Sequence, residues 1–207
     1  MKKNKTNKKF VYLISPNKIK NKDFYTDLTL VLSSGKISFF QLRLKKETNS
    51  NKLIIGRKIK KICKKYKVKF LINDDPLLAK KLNADGCHLG QKDMNLIKAR
   101  KILKNKIIGI TCHNSITLAK KAFEDGADYL ALGAFYTSKT KIVKYKANLP
   151  ILKSVKKITT LPIVAIGGIK LKNYKKLLLN KANFLAISGY IWNNKKYKPL
   201  EAIKKLK

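Results

Sequence analysis

The chain has 207 residues, 44% of them hydrophobic, enough for one domain with a buried core. Its formal net charge of +38 points first to nucleic acid. Only Arg43, Arg57 and Arg100 among the 49 basic residues are arginine, the side chain suited to base readout and bidentate phosphate contact, so specific nucleic-acid binding is set aside and a general attraction for small anions is expected.

Residues 1–9 are basic and polar and are expected to form a loose tail ahead of one catalytic domain over residues 10–207. The apolar run after the tail is too short for a signal-peptide core. No apolar run reaches the length of about 18 residues that a membrane span needs. The chain therefore reads as cytoplasmic, without a membrane partner, and is compatible with a homo-oligomer. Eight apolar, β-rich runs follow in order: 10–14, 39–42, 68–72, 86–89, 107–111, 129–132, 163–166 and 184–187. They are nearly continuous rather than alternating, as in parallel strands covered on both faces. Between them, residues 53–66, 94–103, 116–124, 149–158 and 171–179 repeat their apolar positions every three or four residues, with lysine on the other face. This alternation predicts an α/β fold, a single (β/α)8 TIM barrel, with a doubly wound open sheet as the alternative. Neither a GxGxxG nor a P-loop motif is present. Cys63, Cys87 and Cys112 lack the spacing of a disulfide framework or a zinc site and read as buried free thiols.

In such a barrel, chemistry gathers where the strands end. The segment Gln41-Leu42-Arg43-Leu44-Lys45 alternates, so its three polar residues would share one strand face. Charges turned inward need a partner, and a polyanionic ligand supplies one. Asp74 and Asp93, two of only 11 acidic residues, follow adjacent strands and could hold one hard cation. Helix capping is the alternative for Asp93, and it is the preferred reading for Asp75, which precedes Pro76. Gly167-Gly168 and Ile187-Ser188-Gly189 follow the last two strands, where many barrels bind phosphate. His88 sits within a strand pattern and reads as structural, and His113 receives no role.

These residues resemble a known family. The segments 41–45, Ile72-Asn73-Asp74-Asp75, 84–93, 109–114, 126–129, Thr140-Lys141 and 164–169 are similar, in order and spacing, to thiamine phosphate synthase. The resemblance implies a (β/α)8 barrel that uses Mg2+ to condense a pyrimidine pyrophosphate with a thiazole phosphate. It implies Asp74 and Asp93 as metal ligands. Gln41, Arg43, Lys45, Asn73, Thr111 and Lys141 would hold the pyrimidine pyrophosphate, with Arg43, Lys45, Thr111 and Lys141 acting in catalysis. Ser138 and Thr140 would contact the thiazole phosphate, and Gly168, Ile187 and Ser188 would cradle its phosphate. Thr111 stands where the family usually has serine, and the loop 135–141 lacks the usual proline. A thiazole tautomerase of the same fold, and a noncatalytic binder of phosphorylated ligands or nucleic acid, are the competing readings.

Overall fold

A computed structural model describes residues 9–19, 22–138 and 144–207. The expected tail, Lys9 apart, lies outside the described residues, as do Thr140 and Lys141. Eight parallel strands close into a barrel in sequence order, the last pairing with the first. They are β1 (Val11–Ile14), β2 (Ile37–Leu42), β3 (Lys69–Asn73), β4 (Gly86–Leu89), β5 (Ile107–His113), β6 (Tyr129–Gly133), β7 (Ile163–Ile166) and β8 (Phe184–Ile187). All eight expected runs are strands, shifted by one to two residues at several ends, and the open-sheet alternative is excluded by the closure. Each strand buries one face against helices and the other inside the barrel, which is why the runs carry so few polar residues.

The helices are α1 (Asp23–Ser33), α2 (Asn49–Lys65), α3 (Pro76–Lys81), α4 (Leu96–Leu103), α5 (Ile116–Glu124), α6 (Pro150–Ile158), α7 (Tyr174–Leu179), α8 (Gly189–Trp192) and α9 (Pro199–Lys205). Four start at an N-cap residue whose own side chain accepts an N–H of the first turn. These are Thr48 from Asn51, Asp75 from Leu78, Asn95 from Ile97 and Ser115 from Leu118. Asp75 caps as expected. Asp93 does not cap, because Asn95 does. α2 starts four residues before the apolar pattern, at the Thr48 cap. α7 starts three residues late, because the Asn173 side chain accepts the Lys170 N–H and holds a turn there.

One device recurs at the amino end of the barrel. Asp85, Asp128 and Asn183 each stand one residue before a strand. Each donates its N–H to one carbonyl of the preceding strand and accepts that same residue's N–H on its side chain. The gripped residues are Phe70, Ile108 and Ile163, with bonds of 2.7–2.9 Å. The alanines before them, Ala84, Ala127 and Ala182, are buried. The Arg100 guanidinium adds a 2.6 Å ion pair to Asp128 and bonds three backbone carbonyls around it.

Inside the barrel the lower layer is apolar and aromatic. Phe39 packs against Tyr12, Tyr129 and Phe184, with ring centroids 5.1–6.1 Å apart. This plug closes the amino end and leaves the carboxyl end open. A cavity of about 990 Å3 lies there.

Candidate active site

The register carries polar side chains to the open end. Gln41 faces the interior beside Ile14 and Leu71. It is 2% exposed, and its amide nitrogen has no hydrogen-bond partner among the described residues. A buried donor left unmade is costly, and an acceptor entering beside it would relieve that cost. The expected common strand face for Gln41, Arg43 and Lys45 needs correction: β2 ends at Leu42, and Arg43 and Lys45 extend from the following loop. The alternation nevertheless persists, since Leu42 and Leu44 are buried on the outer side. Ser15 holds that loop, its hydroxyl accepting the Arg43 N–H at 2.9 Å. The Arg43 guanidinium donates to Asn17 Oδ1 at 3.1 Å. Burial lowers its pKa and nearby Asp74 works against that, so it stays charged.

Asp74 follows β3 with a positive φ of 65°, fixed by its N–H on the His88 carbonyl at 2.8 Å. It pairs with the Lys45 ammonium at 2.8 Å. Its side chain is within hydrogen-bonding reach of Asp93. Burial pushes the Asp74 carboxyl up, but the bonds from Lys45 and Asp93 and the Lys45 charge outweigh it and hold it low. Asp93 is the reverse: burial raises it and its neighbour Asp74 raises it further, against a 2.6 Å bond from the Gly90 N–H. Two carboxylates with no capping duty thus sit together facing the cavity, one of them reluctant to ionise.

Thr111 is 8% exposed at a register shift in β5, where Gln91 donates to its carbonyl at 2.6 Å. Gly167 and Gly168 have φ of 98° and 59°. A Cβ on Gly168 would lie 2.3 Å from the Thr137 carbonyl oxygen, so the glycine lets the β6 loop close on the β7 loop. Packing thus contributes to a pattern the sequence ascribed to phosphate approach. Ser188 donates to the Ser15 carbonyl at 3.1 Å.

Every sequence-predicted site residue within the described stretches lines this one cavity: Gln41, Arg43, Lys45, Asn73, Asp74, Asp93, Thr111, Ser138, Gly168, Ile187 and Ser188. The sequence reading did not anticipate Tyr12, Asn17, Tyr129 and the run Asn193-Asn194-Lys195-Lys196, which line it too. His88, read as structural, also faces it. The signal for Tyr12 and Tyr129 was inward strand position, and the polar tips of otherwise apolar runs hid it. Asn193 to Lys196 follow a helix of four residues that no periodicity can reveal.

The family model for thiamine monophosphate synthase matches residues 11–191. The chain belongs to the thiamine monophosphate synthase family. A thiamine-phosphate synthase of Pelagibacter ubique (strain HTCC1062) is 86% identical over 207 residues, covering all of both chains. One of Nitrosomonas eutropha is 38% identical over 184 residues, 88% of this chain and 86% of its own. The solved thiamine phosphate pyrophosphorylase of Pyrococcus furiosus superposes with a TM-score of 0.83 at 26% identity, covering 97% and 95% of the two chains. A 3-hexulose-6-phosphate synthase, at 15% identity and a TM-score of 0.66, shares the fold alone. Within the thiamine monophosphate synthase family the barrel is therefore expected; of the residues quoted for the resemblance, Gln41, Arg43, Lys45, Asn73, Asp74, Asp93, Thr111 and Gly168 line the cavity, while Asp85 and Asp128 brace the opposite end of the barrel. No described helix is long and apolar enough to cross a membrane. The three cysteines are buried free thiols.

Proposed function

We propose that this chain is a transferase that joins 4-amino-2-methyl-5-(diphosphooxymethyl)pyrimidine to 4-methyl-5-(2-phosphooxyethyl)thiazole, releasing thiamine phosphate and pyrophosphate. The observation that carries this reading is the meeting of a carboxylate pair and a basic pair, Asp74 with Asp93 and Arg43 with Lys45, on the mouth of one cavity. The bond between the exocyclic methylene carbon and the diphosphate oxygen breaks, and the thiazole nitrogen forms the new carbon–nitrogen bond with its lone pair. Diphosphate leaves readily only when its developing charge is met. Arg43 offers two parallel donors to its oxygens and Lys45 a point charge, and Lys141 is proposed for the same role. Gln41 presents its unpartnered amide N–H to an acceptor on the pyrimidine, and Thr111 and Asn73 offer polar contacts beside it. Gly168, Ile187, Ser188, Ser138 and Thr140 are proposed for the thiazole phosphate. The apolar floor excludes water from the reacting carbon, and holding both substrates in line supplies much of the remaining acceleration.

The residues fit Mg2+. Asp74 and Asp93 lie side by side, and no group of three or more His, Cys, Asp or Glu that could hold a metal exists among the described residues. One or two carboxylates, with the other positions left to water and phosphate oxygens, is the usual Mg2+ pattern. When bound, the ion would neutralise leaving-group charge as a Lewis acid. The ligands are then small cytoplasmic anions rather than nucleic acid. The test is pyrophosphate release by the purified protein with both substrates, with and without Mg2+. Release that needs both substrates and the metal supports the reading. Isomerisation of a thiazole carboxylate phosphate without pyrophosphate would indicate a tautomerase, and no turnover a binding protein.

A further inference from the structure

Thr111 does not meet the cavity alone. Its Oγ1 lies 2.8 Å from Nε2 of His88, whose Nδ1 lies 2.9 Å from the Tyr129 hydroxyl, itself 2.9 Å from the Tyr12 hydroxyl. The four side chains come from β5, β4, β6 and β1 and run as one chain across the barrel interior. The tyrosines are 2% and 3% exposed. Burial raises both phenols, so they keep their protons. The Tyr129 ring reaches His88 by crossing Gly109, where a Cβ would stand 1.9 Å from the ring.

Counting hydrogens gives the chain a direction. With a neutral imidazole, which has one donor and one acceptor nitrogen, a continuous chain of bonds can run in either of two directions. If Thr111 donated to His88, the hydrogens would run inward and Tyr12 would hold the last one. Among the described residues the Tyr12 hydroxyl has no hydrogen-bond partner but Tyr129. That polarity strands a buried donor, which costs more than an unused lone pair. In the other polarity Tyr12 donates to Tyr129, Tyr129 to His88 Nδ1, and His88 Nε2–H to Thr111, and the one hydrogen left over is that of Thr111, the more exposed end of the chain at 8%.

We infer that His88, Tyr129 and Tyr12 are positioning residues that fix the direction of the Thr111 hydroxyl, so that Thr111 accepts from His88 and presents its own proton to an acceptor atom of the pyrimidine substrate. The Gln91 bond to the Thr111 carbonyl holds the backbone under it. The inference rests on the proposed function for the identity of the ligand, but not for the direction of the chain.

Two measurements test it. In nitrogen-15 NMR of the ligand-free protein, with the His88 signals assigned by their loss in His88→Gln, the proton is expected on Nε2. A proton on Nδ1 overturns the inference whatever the protein catalyses. The second is a double-mutant cycle on kcat/KM for the pyrimidine substrate. Tyr129→Phe removes one oxygen and is expected to cost roughly five- to tenfold, the scale of one hydrogen bond. In a Thr111→Val background the same change should cost nothing further. His88→Gln, which retains an amide donor near the Nε2 position, should keep more activity than His88→Leu. A loss that persists undiminished in the Thr111→Val background, or no loss in either, overturns the inference. A wild-type protein that releases no pyrophosphate overturns the functional reading instead.

Discussion

Asp93 and Gln41 are held in states that carry a cost in the folded protein: a carboxyl raised by burial and by its neighbour Asp74, and a buried amide nitrogen without a partner among the described residues. A carboxyl raised in the folded chain binds its proton more readily there than when unfolded. Ionised Asp93 therefore weakens the fold above its folded value, and acidification relieves that; Asp74, held low, contributes stability that is lost as pH falls through its folded value. Asp93→Asn keeps the acceptor for Gly90 and removes one of two adjacent charges. In chelator-treated protein at neutral pH its Tm should rise, by about 1–3 °C, while turnover falls roughly a hundredfold. Melting curves beside pyrophosphate assays check both halves, and a lower Tm would contradict the repulsion. Gln41→Leu should likewise stabilise the empty protein by about 1 kcal/mol, by removing an unpaired buried amide, and raise KM for the pyrimidine. Denaturant titration and steady-state kinetics decide it. At this scale the sequence was informative where charge stood out: Arg43 is one of three arginines, and Asp74 and Asp93 are two of few acids. It was silent on Tyr12 and Tyr129, whose hydroxyls meet across 117 positions of chain.

The strands were legible because each is buried on both faces, so apolar continuity alone marks them. Helices were legible where caps and lysine faces agreed. α1 was not, although Phe24, Leu28, Val31 and Leu32 make its buried stripe. Its N-cap Lys22 makes no side-chain cap, and threonines interrupt its polar face. The amino-end grips were visible only as Ala-Asp and Ala-Asn pairs whose targets lie 15 to 20 residues earlier. Asp128→Ala strips the Ile108 N–H of its partner and Arg100 of its ion pair. It should cost about 1–3 kcal/mol of stability, read by urea denaturation, while leaving kcat near the wild-type value, because it lies at the end of the barrel away from the cavity. A kcat loss without a stability loss would contradict that division between the two ends.

Across the whole molecule the charge of +38 has a kinetic consequence. The reading requires two anionic substrates to enter a mouth with lysines at positions 45, 170, 172, 195 and 196. Their approach is favoured by the protein's field, which salt screens over about 10 Å at 0.1 M. The kcat/KM for each substrate should fall several-fold as NaCl rises through that range, with kcat changing less. A salt-independent kcat/KM would show that the excess lysine does not act on the substrates. The central claim is that Asp74 and Asp93 together with Arg43 and Lys45 receive a departing diphosphate. Its most direct measurement is the product ratio from the purified chain with both substrates and Mg2+, for the wild type and for Arg43→Ala and Asp74→Asn. Thiamine phosphate and pyrophosphate are expected in equal amounts, with each variant slower by about a hundredfold or more. No pyrophosphate from the wild type, or both variants at the wild-type rate, would contradict it.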